Sequence, residues 1–271
     1  MPISNITNGE SGLSVRTSLN QVIDAVNANP PISNPKVIYV TANGNDGTAE
    51  IGNPTKPYLT LLAAYNAGVS SATNFALSVG VGSFILPVTG NLSALCRQIN
   101  GVGQSPALTL VSIAPNFSTE VTNTNGSPGP NIAIAINNVY LVVNTIGQNV
   151  LANDGNSYTA GDGGSVEITG FGVVDIISSG GNGVAPGVGS GFVTGGNAGS
   201  IAVSGPIIAN GNLLSSKGLG YNDADGSDGP ITLDNCDIRG ATIQTSALTL
   251  GRCSYTSGIA VTNDKGGNAA W

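Results

Sequence analysis

Between residues 164 and 253 a short pattern of alternating apolar and polar positions returns four times. It reads GSVEITG at 164–170, GSIAVSG at 199–205, GPITLDN at 229–235 and, more loosely, SALTLGR at 246–252. The apolar positions are Val166 and Ile168, Ile201 and Val203, Ile231 and Leu233, Leu248 and Leu250. Such alternation is the side-chain period of a strand with one buried face. Glycine or another turn-former flanks each copy, so each predicted strand is short and ends in a bend. The first two copies also continue alike, with FGVVDIISSG at 171–180 against PIIANGNLLSSKG at 206–218. The unit is therefore strand, bend, strand, then a loop of variable length. A unit of this kind cannot bury its apolar face alone and must stack on its neighbours, so the pattern predicts a β-solenoid.

The same alternation runs through ALTLVSI at 107–113 and NIAIAIN at 131–137, with a further strand expected over 139–146 and a first one at VIYV, 37–40. Helical spacing occurs at two places. Over 14–29, Val15, Leu19, Val22, Ile23 and Val26 share one face, and Pro30-Pro31 ends the run. A helix this short is marginal alone, so its stripe must be covered. We expect it to work in assembly, between chains or against a partner, with residues 1–36 an attachment segment and 37–271 the solenoid domain; the alternative is that it folds back over the solenoid's N-terminal end. The second helix is expected over 58–67, closed by Gly68. Long glycine-rich excursions at 153–164, 180–199 and 218–229 interrupt equivalent points of the repeat, so they should leave the solenoid on one side and lie close together. Their composition fits either solvated loops or an ordered stack.

Two stretches resemble known families. VIYVTANGNDGTAEIGNPTKPYLTLLAAYNAG, at 37–68, resembles the opening segment of right-handed parallel β-helix proteins of the pectate-lyase-like class. There a strand, a Gly-Asn-Asp loop, a Lys-Pro-aromatic step and a short helix cap the open end of the solenoid. ALSVGVG at 76–82 and INGVGQSP at 99–106 look like the first rungs that follow. Upstream, NGESGLSVRTSLNQVIDAVNA at 8–28 resembles the N-terminal segment common in phage fibre, tailspike and baseplate proteins. The resemblances imply an all-β, single-stranded right-handed parallel β-helix with a short N-terminal α-helix and a capping helix. They imply a virion protein, usually a homotrimer, that attaches to other virion proteins through residues 1–31. Surface glycans are a further partner consistent with an uncharged Gly/Ser/Asn/Thr exterior.

Composition narrows the chemistry. Only 8% of the 271 residues are charged and the net charge is −7. The chain has no Lys/Arg cluster, so a nucleic-acid role has no electrostatic footing. No apolar run is long enough to span a bilayer, and no basic region followed by an apolar run marks a secretory signal. We therefore expect synthesis in the host cytoplasm, and the resemblance implies residence in the virion. Three widely spaced cysteines, Cys96, Cys236 and Cys253, do not make a disulfide framework. Cys236 and Cys253 occupy the same place in successive units and should stack, both reduced.

The chain has no histidine, which removes the commonest general base, the usual nucleophile triads and most zinc sites. A lyase of the β-helix class would need an acidic calcium cluster with an Arg or Lys base, and a hydrolase paired carboxylates. The only candidates for either are Asp234, Asp237, Arg239 and Arg252. Asp223, Asp225 and Asp228 form one dense acidic loop that could offer oxygens to calcium, but its spacing fails the EF-hand pattern, and solvated turns are the expectation. The reading is a non-enzymatic structural protein with no cofactor. Its rivals are a polysaccharide-degrading tailspike and a bacterial carbohydrate-binding adhesin, the latter disfavoured by the missing signal.

Overall fold

Val166 lies opposite Ile201, Ile201 opposite Ile231, and Ile231 opposite Leu248, all in parallel pairs. The four copies of the pattern thus stack in the register that their sequences suggest. The computed structural model describes residues 35–116, 118–184 and 191–270. The chain divides into two units, Met1–Pro35 and Lys36–Trp271, and every described strand belongs to the second. The helix expected over 14–29, with Val15, Leu19, Val22, Ile23 and Val26, lies outside the described residues.

Strands β1 (Lys36–Val40) and β2 (Phe75–Val79) begin a first sheet, and β3 (Gly82–Val88) a second. β4 (Cys96–Gly101) pairs with β2, β5 (Thr109–Pro115) pairs with β3, and β6 (Glu120–Thr122) is short. From β7 (Ile132–Asn144) onward one long strand turns the corner between the sheets. Around it stand β8 (Asn149–Leu151), β9 (Ser157–Thr159), β10 (Val166–Ser179), β11 (Gly183–Val184), β12 (Phe192–Thr194), β13 (Ile201–Ser216) and β14 (Pro230–Gln244). The last turns are β15 (Ala247–Gly251), β16 (Ser254–Tyr255), β17 (Asn263–Asp264) and β18 (Ala269–Ala270). The result is a right-handed parallel β-helix. Among the described residues the one antiparallel contact is an isolated bridge between Val193 and Tyr221.

Like stacks on like inside. Ile132, Val166, Ile201, Ile231 and Leu248 form one column, and Ile134, Ile168, Val203, Leu233 and Leu250 another. All ten are buried, and each such side chain contributes about 1.5–3 kcal/mol by leaving water. At the corner, Gly170, Gly205, Asn235 and Arg252 occupy one equivalent position and all have positive φ (112°, 116°, 59° and 53°). The chain can turn there only through the left-handed region, which glycine and asparagine tolerate and arginine does not favour.

Several expectations need correction. Helix α1 spans Leu61–Ser70, shifted three residues towards the C-terminus from the expected 58–67. Tyr58 is bridged to Val40, so Thr60, whose hydroxyl accepts from Ala63 N at 3.2 Å, becomes the N-cap. Gly68 does not close the helix. It lies inside it, where a Cβ would come within 2.6 Å of the Phe75 ring, so glycine is what lets that ring pack on the helix. A 3-10 turn at Pro106–Leu108 opens the stretch read as pure strand. The second half of β13 has two residues more than that of β10, absorbed in a bulge at 210–212 whose Asn212 N–H is accepted by Asp175 Oδ1 at 3.1 Å.

Candidate functional site

The glycine-bearing legs of the excursions are ordered, while 153–157 and 222–225 are exposed to solvent. These legs form a third, backbone-built layer on one side of the β-helix, joined by the segment before β7. One chain of hydrogen bonds zigzags between outgoing and returning legs. Gly161 N–H donates to Gln148 O, Gly181 to Gly161, Gly196 to Gly181, Gly218 to Gly196, and Gly226 to Gly218, at 2.7–3.0 Å. Side-chain-bearing sheets pack about 10 Å apart. Here the legs touch through their backbones, because a Cβ on Gly218 would lie 1.9 Å from the Gly181 carbonyl oxygen. None of these glycines has positive φ, so what requires glycine is space. Val150, Ala152, Ala160 and Val193 form a small second core, with Val121, Tyr158 and Tyr221 packed against it.

Polar ladders fix this layer to the solenoid. Thr145, Ser178, Ser215 and Thr245 turn their hydroxyls inward. Thr145 and Ser178 both donate to Gly164 O, Ser215 to Gly199 O and Thr245 to Gly229 O, at 2.6–2.8 Å. Along the outer turns, Asn149 Oδ1 accepts from Asn182 N, and Asn182 Oδ1 from Leu219 N, both at 2.8 Å. Asp162 and Asn197 repeat the device towards Asn197 N and Ser227 N. The buried hydroxyls escaped the sequence reading, although the recurrent Ser-Ser before a glycine, at 178–180 and 215–218, was their signal.

The charged candidates separate into local pairs. Arg252 donates to both carboxylate oxygens of Asp234, with Nε at 3.1 Å from Oδ1. Arg239 does the same to Asp237, at 2.9 and 2.5 Å. These hydrogen bonds hold both carboxyls below their ordinary pKa. Neither is a carboxylic acid poised to protonate a leaving group, as glycoside hydrolysis demands. A shallow cleft of about 270 Å³ beside them includes Ile208, Asn235, Asp237 and Arg252. In the acidic loop, Asp223 accepts from Thr194 Oγ1, Asp225 from Lys217 Nζ and Gly220 N, and Asp228 from Lys217 N. Each carboxylate is already engaged within the protein, Asp225 and Asp228 both by Lys217. Among the described residues no group of three or more His, Cys, Asp or Glu side chains could hold a metal ion.

All three cysteines are buried and free. Burial pushes the Cys96 thiol up to about 12. Cys236 and Cys253 follow the left-handed corner residues of adjacent rungs, and each Sγ reaches the carbonyl two residues back, Asp234 O at 3.3 Å and Gly251 O at 3.2 Å. Hydrogen bonding to Cys253, then burial, raises the Cys236 thiol. The same hydrogen bond holds the Cys253 thiol below its ordinary value, and the buried pair closes the corner.

No protein-family model, curated protein or solved structure matches this chain.

Proposed function

We propose that this chain is a non-enzymatic structural protein of a phage virion, a fibre, spike or decoration subunit. It attaches through residues 1–31 and projects the β-helix outward. The observation that carries the reading is the succession of two segments, a fibre-like NGESGLSVRTSLNQVIDAVNA followed directly by a β-helix opening and its capping helix. A stiff solenoid whose side excursions are locked backbone to backbone suits a part that works outside a cell. The neutralised carboxylates favour this reading over the polysaccharide-degrading tailspike. Self-association as a homotrimer belongs to the same proposal, and so does contact with surface glycans. For the latter, the exposed ring of Phe192 lies beside Ser157 on the neighbouring strand, with Thr194 and Asp223 bonded nearby. An apolar ring face next to hydroxyl and carboxylate groups is the chemistry that holds a sugar.

Antibodies against the β-helix unit test the assignment. Electron microscopy of the particles produced alongside this protein should find label on an outer projection. Label confined to unassembled protein in the lysate would overturn the reading.

A further inference from the structure

We propose that the outer face of the second sheet is an interface on which a second copy of this chain seats. It is built entirely from strands within Lys36–Trp271.

A sheet with one face in water alternates apolar and polar residues, whereas strands covered on both faces read as continuous apolar runs. The two sheets of this β-helix differ in this respect. Outward positions on the first sheet are small or polar, such as Ala135, Thr169, Ser204 and Thr232. On the second sheet the outward positions include a run of aliphatic and aromatic residues, set among Ser112, Asn144 and Asn210 and ending at Asp237 on β14. Leu110, Tyr140, Val173 and Ile208 lie side by side across four rungs, and Ile177 lies beside Leu214. Their inward neighbours, Val111, Leu141, Val174 and Ala209, are already the core. Among the described residues nothing covers the apolar outward row.

Exposure is concentrated there too. Ile85 is 64% exposed on this face, and Val81, Val102, Leu108, Phe171 and Ile208 are 46–62% exposed on it or along its corner with the first sheet. Tyr140 lies across the rungs with its hydroxyl donating to Asn210 O at 3.1 Å, so its polar end is satisfied and its ring paves the surface. Apolar surface gathered in this way marks an interaction site.

Charge and size point to a copy of the same chain. The protein carries a net charge of −7, so two copies repel unless they meet through a neutral face. Among the described outward residues of β3, β5, β7, β10 and β13 on this sheet, Asp175 is the one charged side chain, and it is turned to the Asn212 N–H. Five rungs at ~4.8 Å by seven residues at ~3.3 Å give roughly 550 Å² per copy, or about 1,100 Å² in total, just above what a specific interface needs. Identical pleats also let outward rows of two copies interdigitate as in sheet-on-sheet packing.

The test uses full-length protein and analytical ultracentrifugation. The double variant Val142→Lys/Ile177→Lys should raise the dissociation constant on the order of 100-fold, because it places charge in a dry interface. Thr232→Lys, on the first sheet, should leave it unchanged. A monomeric parent protein, or a folded double variant that assembles as tightly as the parent, would overturn the proposal; in the second case assembly belongs to residues 1–31 or another surface. If the double variant does not fold, Ile85→Cys decides, since that site is open: a short bis-maleimide should give a covalent dimer, and its absence sinks the interface. Intact self-assembly with no label on particles would instead remove the virion reading alone.

Discussion

Gly196 donates its backbone N–H to the carbonyl of Gly181 at 3.0 Å, and a Cβ on Gly196 would lie 2.0 Å from the Gly161 carbonyl oxygen. No flexible side chain is available to yield, so the legs of two excursions would have to part. Gly196→Ala should destabilise the protein by roughly 2–4 kcal/mol. Gly90→Ala, where a Cβ meets nothing within 4 Å, should be neutral or slightly stabilising. Urea midpoints of the two variants check the contrast, and equal effects would refute a space-limited layer.

Arg252 holds the left-handed corner position that glycine or asparagine fills in the three preceding rungs. Its ion pair with Asp234 is exposed and therefore weak. Relief of the backbone should outweigh loss of the pair, so Arg252→Gly is expected to raise the thermal midpoint by roughly 2 °C. A fall in the midpoint would mean that the pair dominates.

Cys96 should make stability depend on alkaline pH. Its folded pKa of about 12 lies above the ordinary value of 9.0, so the folded state keeps a proton that the unfolded chain loses. The contribution is complete below pH 9 and is lost as pH rises towards 12, with a slope of about 1.4 kcal/mol per pH unit. Denaturation at pH 8, 9.5 and 10.5 should show this slope in the parent and less of it in Cys96→Ala. In denaturant a thiol reagent should find three free cysteines, and in the native protein almost none.

Asp46 pins the start of the capping helix. Its Oδ1 accepts from Leu59 N at 2.7 Å and Thr60 N at 3.0 Å, and its Oδ2 from Thr60 Oγ1 at 2.7 Å. Burial raises its pKa, but the bonds from Thr60 and Leu59 outweigh that and leave it below 3.8. Its stabilisation is therefore present above about pH 4 and lost as pH falls further. Asp46→Ala should cost about 1 kcal/mol at neutral pH, and the difference from the parent should shrink at pH 3.

Capsular and cell-wall polysaccharides should not be cleaved, because Asp234 and Asp237 are both held ionised by arginines. Release of oligosaccharide that disappears in Asp234→Ala or Asp237→Ala would promote the tailspike reading.

The stacking of the four copies was legible because alternation and its flanking turn-formers are local properties of the chain. Columns such as Ile168, Val203, Leu233 and Leu250 follow once each apolar face must find a neighbour. The start of α1 was less legible, since Tyr58 has helix-compatible neighbours in sequence but a strand partner, Val40, in space. The candidate carboxylates were identifiable by type, while their pairing with Arg252 and Arg239 depended on backbone direction at the corner.

The sequence by itself determined the rung, the register and the absence of histidine chemistry, because each is written in residue type and spacing. Only the tertiary structure decided what the glycines do. Composition is the same for a loose linker and for a layer in which Gly161, Gly181, Gly196 and Gly218 hand hydrogen bonds from leg to leg. The difference is made when stacked rungs bring those legs within backbone contact, a distance at which no residue with a side chain fits. The apolar row on the second sheet was decided in the same way. Leu110, Tyr140, Val173 and Ile208 are separated along the chain and become one surface only when four rungs are laid side by side.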